Sequence, residues 1–356
     1  MKVLIAAGGT GGHIYPGIAV AREILRRDAN SKVHFVGTVR GLETKIVPEN
    51  GFQLSLINSA GLKNVGLMGQ VRGLLVLPKS FLEARRLLKD FRPDVVVGAG
   101  GYVSGPVMMM ASVMGFPTLV MDSNALPGFT NRQLARFIDK AALTFDEALP
   151  FFGKKGIVTG NPVRKEFFEI APKSVDETLR LLIFGGSQGA RAINTAMVEA
   201  LRHLEARSGR LRIVHQTGEP DFENVARGYA ENGWKEADVR KYIPDMVSEF
   251  EKTDLIICRA GATTCAEVAA SGKAAIMVPL PTAADDHQRR NAEALERAGA
   301  ARMILQKDLT GESLGEAIMG LMDTPERIAE MGAAAKRLAK KDAAEVTVDL
   351  IEKLAA

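Results

Sequence analysis

Short apolar runs recur along this chain of 356 residues, and amphipathic segments separate most of them. This alternation is typical of β-α units that form a parallel sheet, because buried strands are apolar throughout and the covering helices only on one side. The chain is therefore expected to be an α/β protein. The runs expected to be strands are Val3–Ala7, Val33–Val36, Val95–Val97, Thr118–Met121, Leu181–Phe184, Arg212–His215, Leu255–Cys258 and Ala275–Val278.

Two of these runs, the first and the fifth, are each followed by a glycine-rich loop and a helical pattern. Gly8-Gly9-Thr10-Gly11-Gly12 follows the first, and Gly185-Gly186-Ser187-Gln188-Gly189 follows the fifth. The length suits two domains of about 150 residues each, so the repeat predicts two Rossmann-like, doubly wound parallel-sheet domains facing across a cleft. The expected domains are residues 1–161, residues 162–340, and a C-terminal helix over 341–356. The whole segment Ala333–Ala356 is expected to be helical, and it would close the second domain or pack back on the first.

Composition limits the class of protein further. Charged residues make up 25% and hydrophobic residues 46%, which is ordinary for a globular chain. The net charge of +4 suits an anionic ligand or membrane surface but is too small to indicate nucleic-acid binding. The two cysteines, Cys258 and Cys265, cannot form a disulfide scaffold, which indicates a reducing compartment.

Neither a signal peptide nor a membrane span is expected. Glycine ends the first apolar run after Ala7. The uncharged stretch from Val95 to Met121 is long enough to cross a bilayer, but glycines and prolines interrupt it. It is interpreted as a strand, a glycine loop, a helix over Pro106–Met114 capped by Ser104, and a second strand.

A glycine loop between a strand and a helix presents backbone N–H groups at the positive end of the helix dipole, which favours a phosphate. Neither repeated loop is a P-loop, since Gly-Lys-Ser/Thr does not follow. Neither is a dinucleotide fingerprint, because the third glycine of the first loop would fall at Ile14 and the second loop fails at Ser187. Phosphate binding is expected here without ATP or nicotinamide chemistry.

Several further motifs occur with these loops in one consistent order, and together they resemble the MurG family of glycosyltransferases. They are Gly8–His13, Gly100–Pro106, Gly160–Arg164, Gly185–Ala190, His215–Gly218, Tyr242–Met246, Cys258–Glu267 and Asp286–Ala292. The resemblance implies a GT-B fold and an inverting hexosyltransferase. That enzyme would move GlcNAc from UDP-GlcNAc to the C4 hydroxyl of MurNAc in lipid I, forming lipid II without a cofactor.

The same resemblance implies a place in peptidoglycan synthesis and cell-wall biogenesis, and so in cell shape, cell division and the cell cycle. The protein would be peripheral on the cytoplasmic face of the cell membrane. Its partners would be UDP-GlcNAc, lipid I, the anionic inner-membrane surface and other cell-wall synthesis proteins, and not nucleic acid. One departure stands out: Met121-Asp122-Ser123-Asn124 replaces the His-Glu-Gln-Asn of many family members, which puts details of the acceptor side in doubt.

The donor site carried over from the family includes a phosphate-contacting arginine, Arg164, and a ribose-binding carboxylate, Glu267. Glu267 also suits a helix capping box with Thr264, and Arg164 also suits a solvated position. Ile243 matches a position whose backbone contacts uracil. Gln288 and Asn291 share a helix face and offer amides to GlcNAc hydroxyls, although solvated positions would equally suit them. The expected donor-binding residues are Thr10, Gly11, Gly12, Asn124, Arg164, Ser187, Gln188, Ile243, Glu267, Gln288 and Asn291.

No Asp-x-Asp motif is present to hold a divalent metal, so backbone amides, helix N-termini and Arg164 are expected to stabilise the leaving pyrophosphate. The acceptor hydroxyl must lose a proton as it attacks. His13 is the favoured general base or acceptor-positioning residue, because a helix N-terminus favours the neutral imidazole, although a histidine that only hydrogen-bonds phosphate would also fit. Asp122 is the alternative acid, base or orienting group. His34 and His203 are expected to be structural, whereas His215 could line the donor side. The expected acceptor-binding residues are Gly9, Gly101, Tyr102 and Ser104.

A membrane-facing patch is expected in the first domain, where apolar and basic residues alternate. It comprises Leu67, Met68, Val71, Leu74–Leu77, Phe81 and Leu82, with Arg72, Lys79, Arg85 and Arg86, and on another helix Met108–Met110 and Met114. Three rival functions stay open: a GT-B enzyme with another lipid acceptor, a UDP-GlcNAc epimerase and a non-catalytic UDP-sugar-binding protein.

Overall fold

The structure is a computed structural model that describes residues 1–9, 11–39, 41–59, 67–172, 178–186 and 188–356, with the backbone alone for 67–75. Its chain divides into two compact units. The first unit is Met1–Val163 together with Lys340–Ala356, and the second is Arg164–Ala339. None of the described helices is long and apolar enough to cross a bilayer.

Each unit contains one parallel sheet with the strand order of a doubly wound fold. The first sheet has the order β3-β2-β1-β4-β5-β6-β7 and the second the order β10-β9-β8-β11-β12-β13. The two Rossmann-like domains expected from the repeat are therefore confirmed. The strands, β1 to β13 in chain order, are Lys2–Ala7, Lys32–Thr38, Gln53–Ile57, Val95–Gly100, Thr118–Asp122, Lys140–Leu143, Gly156–Val158, Leu179–Phe184, Leu211–Gln216, Asp238–Arg240, Leu255–Cys258, Ala274–Met277 and Ala301–Met303.

Helices connect successive strands and cover the two faces of each sheet. The helices, α1 to α15 in chain order, are Gly11–Arg27, Glu43–Glu49, Leu67–Phe91, Ser104–Val113, Phe129–Leu134, Leu149–Phe152, Glu166–Glu169, Arg191–Leu204, Phe222–Glu231, Met246–Lys252, Ala262–Ser271, His287–Arg297, Gly311–Met322, Pro325–Leu338 and Ala343–Ala355.

The core of the first unit lies on both faces of its sheet. Along β1, Val3 and Ile5 belong to one buried cluster while Leu4 and Ala6 belong to the other, because successive side chains of a strand point to opposite faces. The first cluster includes Ile351 of α15, which packs beside α1. Arg27 at the end of α1 donates to Asp349 and Glu352 of α15 at 2.6 and 2.9 Å, so the last helix is part of the first unit.

Three local expectations are wrong. Ser104 does not cap a helix from outside: α4 begins at Ser104 itself, and its hydroxyl bonds to strand backbone instead. The tail is not one helix from Ala333, because α14 ends at Leu338 and α15 starts at Ala343. Glu267 is in no capping box, since α11 starts at Ala262 after Gly261 and no side chain caps it.

Candidate active site

The first loop cluster comprises residues 8, 9, 11–13, 100–104 and 122–124 of the first unit, at the carboxyl ends of β1, β4 and β5. Two glycine loops are in direct backbone contact there. The Gly8 N–H donates to the Gly100 carbonyl at 3.2 Å, and a Cβ on Gly101 would overlap the Gly8 carbonyl. Gly101 also has φ +83°, a conformation that favours glycine. The contact brings the expected acceptor residues Gly9 and Gly101 to neighbouring positions.

His13 is the third residue of α1 and lies against the second of these loops. A Cβ on Gly100 would overlap the imidazole Nδ1, so the ring occupies the space that the glycine leaves open. The side chain is partly exposed. Gly11 and Gly12 are the first two residues of the same helix, whereas Thr10, also expected to bind the donor, lies outside the described residues. A partly exposed imidazole at a helix N-terminus suits proton transfer.

The other two expected acceptor residues differ in accessibility. Tyr102 is 57% exposed, and its carbonyl accepts from the Ser59 hydroxyl at 2.8 Å. Ser104 is fully buried: its hydroxyl accepts from the Gly100 N–H at 3.0 Å and lies 2.9 Å from the carbonyls of Ala6 and Gly100. Ser104 thus holds the glycine loop against β1, and Tyr102 is the side chain that a ligand can reach.

Asp122 ends β5 and is buried. Oδ1 accepts from the Asn124 N–H at 3.0 Å, and Oδ2 accepts from the Gly128 N–H at 3.1 Å and the Asn131 amide at 2.9 Å. Burial raises the pKa of this carboxyl, while these hydrogen bonds oppose the rise. Because both oxygens are engaged, the arrangement favours a structural part for Asp122: it shapes the loop that carries Asn124.

The second loop cluster comprises residues 185, 186, 188–190, 216–218, 242–244, 261–267 and 280–291 of the second unit, around the carboxyl ends of its strands. Two loops cross there as well. A Cβ on Gly189 would overlap the Thr217 carbonyl, and a Cβ on Gly218 would overlap the Gln188 carbonyl. The Gln188 side chain is exposed, whereas Ser187 lies outside the described residues.

Gln216, the last residue of β9, joins two of these loops. Its amide donates to the Gly186 carbonyl at 2.9 Å, and its Oε1 accepts from the Ile243 N–H at 2.8 Å. Gln216 is 1% exposed and the Ile243 side chain is buried as expected. The Ile243 N–H is therefore engaged within the protein. Although Gln216 belongs to a motif, its own sequence signal is only a polar residue at the end of an apolar strand.

Glu267 and Arg164 are close enough to interact electrostatically. Glu267 lies in the second turn of α11 and is partly exposed. Burial raises the pKa of its carboxyl to about 7, and the positive charge of Arg164 opposes that rise. Arg164 is exposed, with its guanidinium carbon 4.9 Å from the centre of the buried Phe167 ring. A carboxyl with this pKa changes charge near neutral pH, which is typical of functional sites.

The side-chain amides of Gln288 and Asn291 form hydrogen bonds to the backbone of neighbouring loops. Gln288 Oε1 accepts from the Leu280 N–H at 3.1 Å, so this side chain orients the loop before α12. Asn291 is fully buried and donates to the Ala260 carbonyl at 3.2 Å. Gln288 is partly exposed and accessible to a ligand, whereas Asn291 supports the loop that precedes α11.

His215 does not line a ligand site, contrary to one expectation. It is fully buried between the Tyr229 hydroxyl and Asn194 Oδ1, each at 3.1 Å, and burial lowers its pKa to about 3. Asn194 donates its amide to the Thr217 carbonyl, so its Oδ1 must accept, and the neutral imidazole carries its proton on Nε2. Among the described residues, no group of three or more His, Cys, Asp or Glu could hold a metal ion.

Both halves of the chain match models of one protein family. Residues 3–143 match the glycosyltransferase family 28 N-terminal domain, and residues 180–347 match the glycosyltransferase family 28 C-terminal domain. The chain is similar to a UDP-N-acetylglucosamine--N-acetylmuramyl-(pentapeptide) pyrophosphoryl-undecaprenol N-acetylglucosamine transferase of Geobacter sulfurreducens, with 47% identity covering 98% of this chain and 97% of the relative. A relative of the same name from Syntrophus aciditrophicus is 48% identical, covering 98% of this chain and 97% of the relative.

A solved structure of a related protein has the same fold as this chain. The crystal structure of Acinetobacter baumannii MurG superposes with a TM-score of 0.83 at 34% identity, covering 99% of each chain. The motifs that carried the resemblance therefore lie in a fold of the same kind.

Proposed function

We propose a reaction for this chain on the premise that it belongs to glycosyltransferase family 28, to which both halves of its sequence match. It is an N-acetylglucosaminyltransferase of peptidoglycan synthesis. It transfers GlcNAc from UDP-GlcNAc to the N-acetylmuramyl-pentapeptide of lipid I. The observation that carries this conclusion is 47% identity over 98% of the chain to a transferase of that name.

The proposed chemistry is a single displacement that inverts the anomeric centre. The C4 hydroxyl oxygen of MurNAc forms a bond to the anomeric carbon as the bond from that carbon to the UDP oxygen breaks. His13 takes the hydroxyl proton, and UDP leaves with the bonding electron pair. The partly exposed position of His13 at the start of α1 supports its role as the base. Asp122 orients the Asn124 loop rather than moving a proton, because both its oxygens are engaged.

The donor is proposed to bind at the second loop cluster. The exposed guanidinium of Arg164 is suited to the diphosphate, which gains charge as the bond breaks. Glu267 accepts hydrogen bonds from the ribose hydroxyls when it is ionised, and Gln188 and Gln288 have accessible amides. Asn291 and Ser104 are buried and hold loops, so we assign them positioning roles.

Donor binding should depend on pH through Glu267. Only the ionised carboxyl accepts charge-assisted hydrogen bonds at both oxygens, because the protonated group uses one oxygen as a donor. Binding therefore favours the ionised form and weakens as pH falls through the pKa of about 7. At pH 6 about one carboxyl in ten is ionised, so the Kd for UDP-GlcNAc should be about tenfold higher than at pH 8. Calorimetric titration at both pH values measures this ratio.

Two variants separate Glu267 from general effects of pH on donor binding. Glu267→Gln should bind weakly with a Kd that is the same at both pH values. Glu326→Gln, an exposed position of α14 in the same unit, should keep the wild-type profile. A wild-type Kd that is unchanged between pH 6 and pH 8 would contradict ribose binding by the Glu267 carboxylate.

Transfer should appear as UDP release that requires the acceptor. We expect the protein to release UDP from UDP-GlcNAc only when a lipid I analogue is present, and EDTA should not diminish the rate. His13→Ala should lower kcat by about 10²- to 10⁴-fold, the usual worth of a general base. His34→Ala, in β2 of the same unit, should keep the wild-type kcat.

The rival functions predict other outcomes of the same assay. An epimerase would convert UDP-GlcNAc without the acceptor. A binding protein would bind the donor without turnover. An enzyme for another lipid acceptor would release no UDP in response to the lipid I analogue. A normal kcat for His13→Ala would contradict the assignment of the base while leaving the reaction in place.

We also propose that the first unit docks on the anionic cytoplasmic membrane surface. Leu82 of α3 is 65% exposed, and Lys79, Arg85 and Arg86 of the same helix are exposed around it. Val76, Leu77 and Phe81 are partly buried, and Met108 is fully buried in the core. Lys79 and Arg86 each also lie 3.9 Å from a carboxylate of the same helix, Glu83 and Asp90. An exposed leucine beside exposed cations suits the interface of an anionic bilayer. The expected patch residues from Leu67 to Leu75 lie outside the described side chains.

Sedimentation with vesicles tests this surface. The protein should bind vesicles that contain phosphatidylglycerol and not pure phosphatidylcholine. Leu82→Glu should weaken that binding about tenfold, because it removes apolar contact and adds repulsion. Leu338→Glu changes a leucine of the second unit that is 41% exposed and should have no effect. Equal binding of both variants would contradict docking through α3.

A further inference from the structure

Glu43, the first residue of α2, is a carboxylate with no solvent exposure that the proposed mechanism does not use. Its Oε2 accepts from the Gly9 N–H at 2.9 Å. Its Oε1 accepts from the Thr38 N–H at 2.7 Å and from the Thr38 hydroxyl at 2.9 Å. Three donors therefore converge on one buried carboxylate, which compensates for its removal from water.

Glycines surround this carboxylate where the chain passes closest to it. A Cβ on Gly8 would lie 2.8 Å from Oε1, and a Cβ on Gly37 or Gly41 would overlap the Glu43 side chain. Hence the loop after β1, the end of β2 and the start of α2 can all approach the carboxylate only because they lack side chains there. Three separate segments of the chain thus have glycine at the position closest to the Glu43 carboxylate.

The contact determines the conformation of the first glycine loop. Gly9 has φ +89°, its N–H points inward to Glu43, and its carbonyl accepts from the Leu42 N–H at 3.4 Å. The Gly9 amide is therefore not available to a substrate phosphate. The preceding residue, Gly8, bonds to Gly100, and the Gly100 backbone lies against the His13 ring. A continuous set of contacts thus links Glu43 to His13.

We propose that Glu43 is a positioning residue for the transfer reaction. Its carboxylate holds the first glycine loop in the conformation that places Gly9 and His13 for the acceptor. This inference rests on the proposed function for the role of His13. Glu43 is fully buried and so cannot contact substrate. Loss of its carboxylate should therefore change turnover through the loop and leave the proposed donor contacts of the second unit unchanged.

The test is Glu43→Gln, assayed for turnover and for the Gly9 amide itself. The amide oxygen can still accept from Thr38, but its NH₂ group cannot accept from the Gly9 N–H. We expect kcat with the lipid I analogue to fall at least tenfold while the Kd for UDP stays within twofold. Hydrogen exchange of the Gly9 amide should accelerate at least tenfold.

Two further variants separate positioning from folding. Asp139→Asn alters a carboxylate that accepts from the Thr118 N–H and hydroxyl at 2.8 Å each, the same pattern at the amino end of the sheet. It should lower Tm but leave kcat unchanged. Thr38→Val removes one hydrogen bond to Glu43 and should lower kcat several-fold, which keeps the proposal testable if Glu43→Gln does not fold.

Three results would contradict the proposal, and a fourth would refute the proposed function on which it rests. A kcat for folded Glu43→Gln equal to that of Asp139→Asn contradicts it, as does unchanged exchange of the Gly9 amide. Loss of UDP binding in Glu43→Gln would contradict a role confined to the first unit. Failure of the wild-type protein to turn over lipid I would refute the proposed function, a separate result from the exchange measurement on Gly9.

Discussion

Close contact between backbone segments is the constraint on which both loop clusters depend. In the first unit a Cβ on Gly101 would overlap the Gly8 carbonyl, and in the second a Cβ on Gly189 would overlap the Thr217 carbonyl. Such crossings require glycine on at least one side, and the positive φ values of Gly101 and Gly189 require it again. Glycine at these crossings is thus a packing requirement first. Both crossings lie at the carboxyl edge of a sheet, where ligands of such folds bind.

Internal acceptors then fix the loops that the glycines allow to approach. Glu43 engages the Gly9 N–H, Gln216 the Ile243 N–H, and Asp122 the Asn124 N–H. A loop whose amides are satisfied by buried side chains is held in one conformation without its ligand, so less ordering entropy is lost on binding. The same contacts show that a glycine-rich loop does not offer every amide to an anion.

The interior strands could be predicted from sequence except β6, and the edge strands could not. The predicted strands are apolar because both faces are covered, whereas the edge strands β3, β7, β10 and β13 are short or partly polar. The interior strand β6 has only four residues and begins with the charged Lys140. Motifs indicated His13, Arg164 and Glu267, but the pKa of Glu267 depends on burial that only the fold reveals. The sequence does not indicate the buried position of Glu43, because the segments around it are far apart in the chain and a glutamate in a helical pattern is usually exposed. Ser104 was wrongly predicted to cap a helix, because its hydroxyl bonds to a distant strand rather than to its own helix.

Analysis of the reaction product shows whether this chain joins GlcNAc to a lipid-linked acceptor. The protein would be incubated with UDP-GlcNAc and a lipid I analogue, and the recovered lipid examined by mass spectrometry and proton NMR. We expect one added N-acetylhexosamine per acceptor, β-linked to the C4 oxygen of MurNAc. An unmodified acceptor recovered beside released UDP, free sugar or an epimerised UDP-sugar would contradict this expectation.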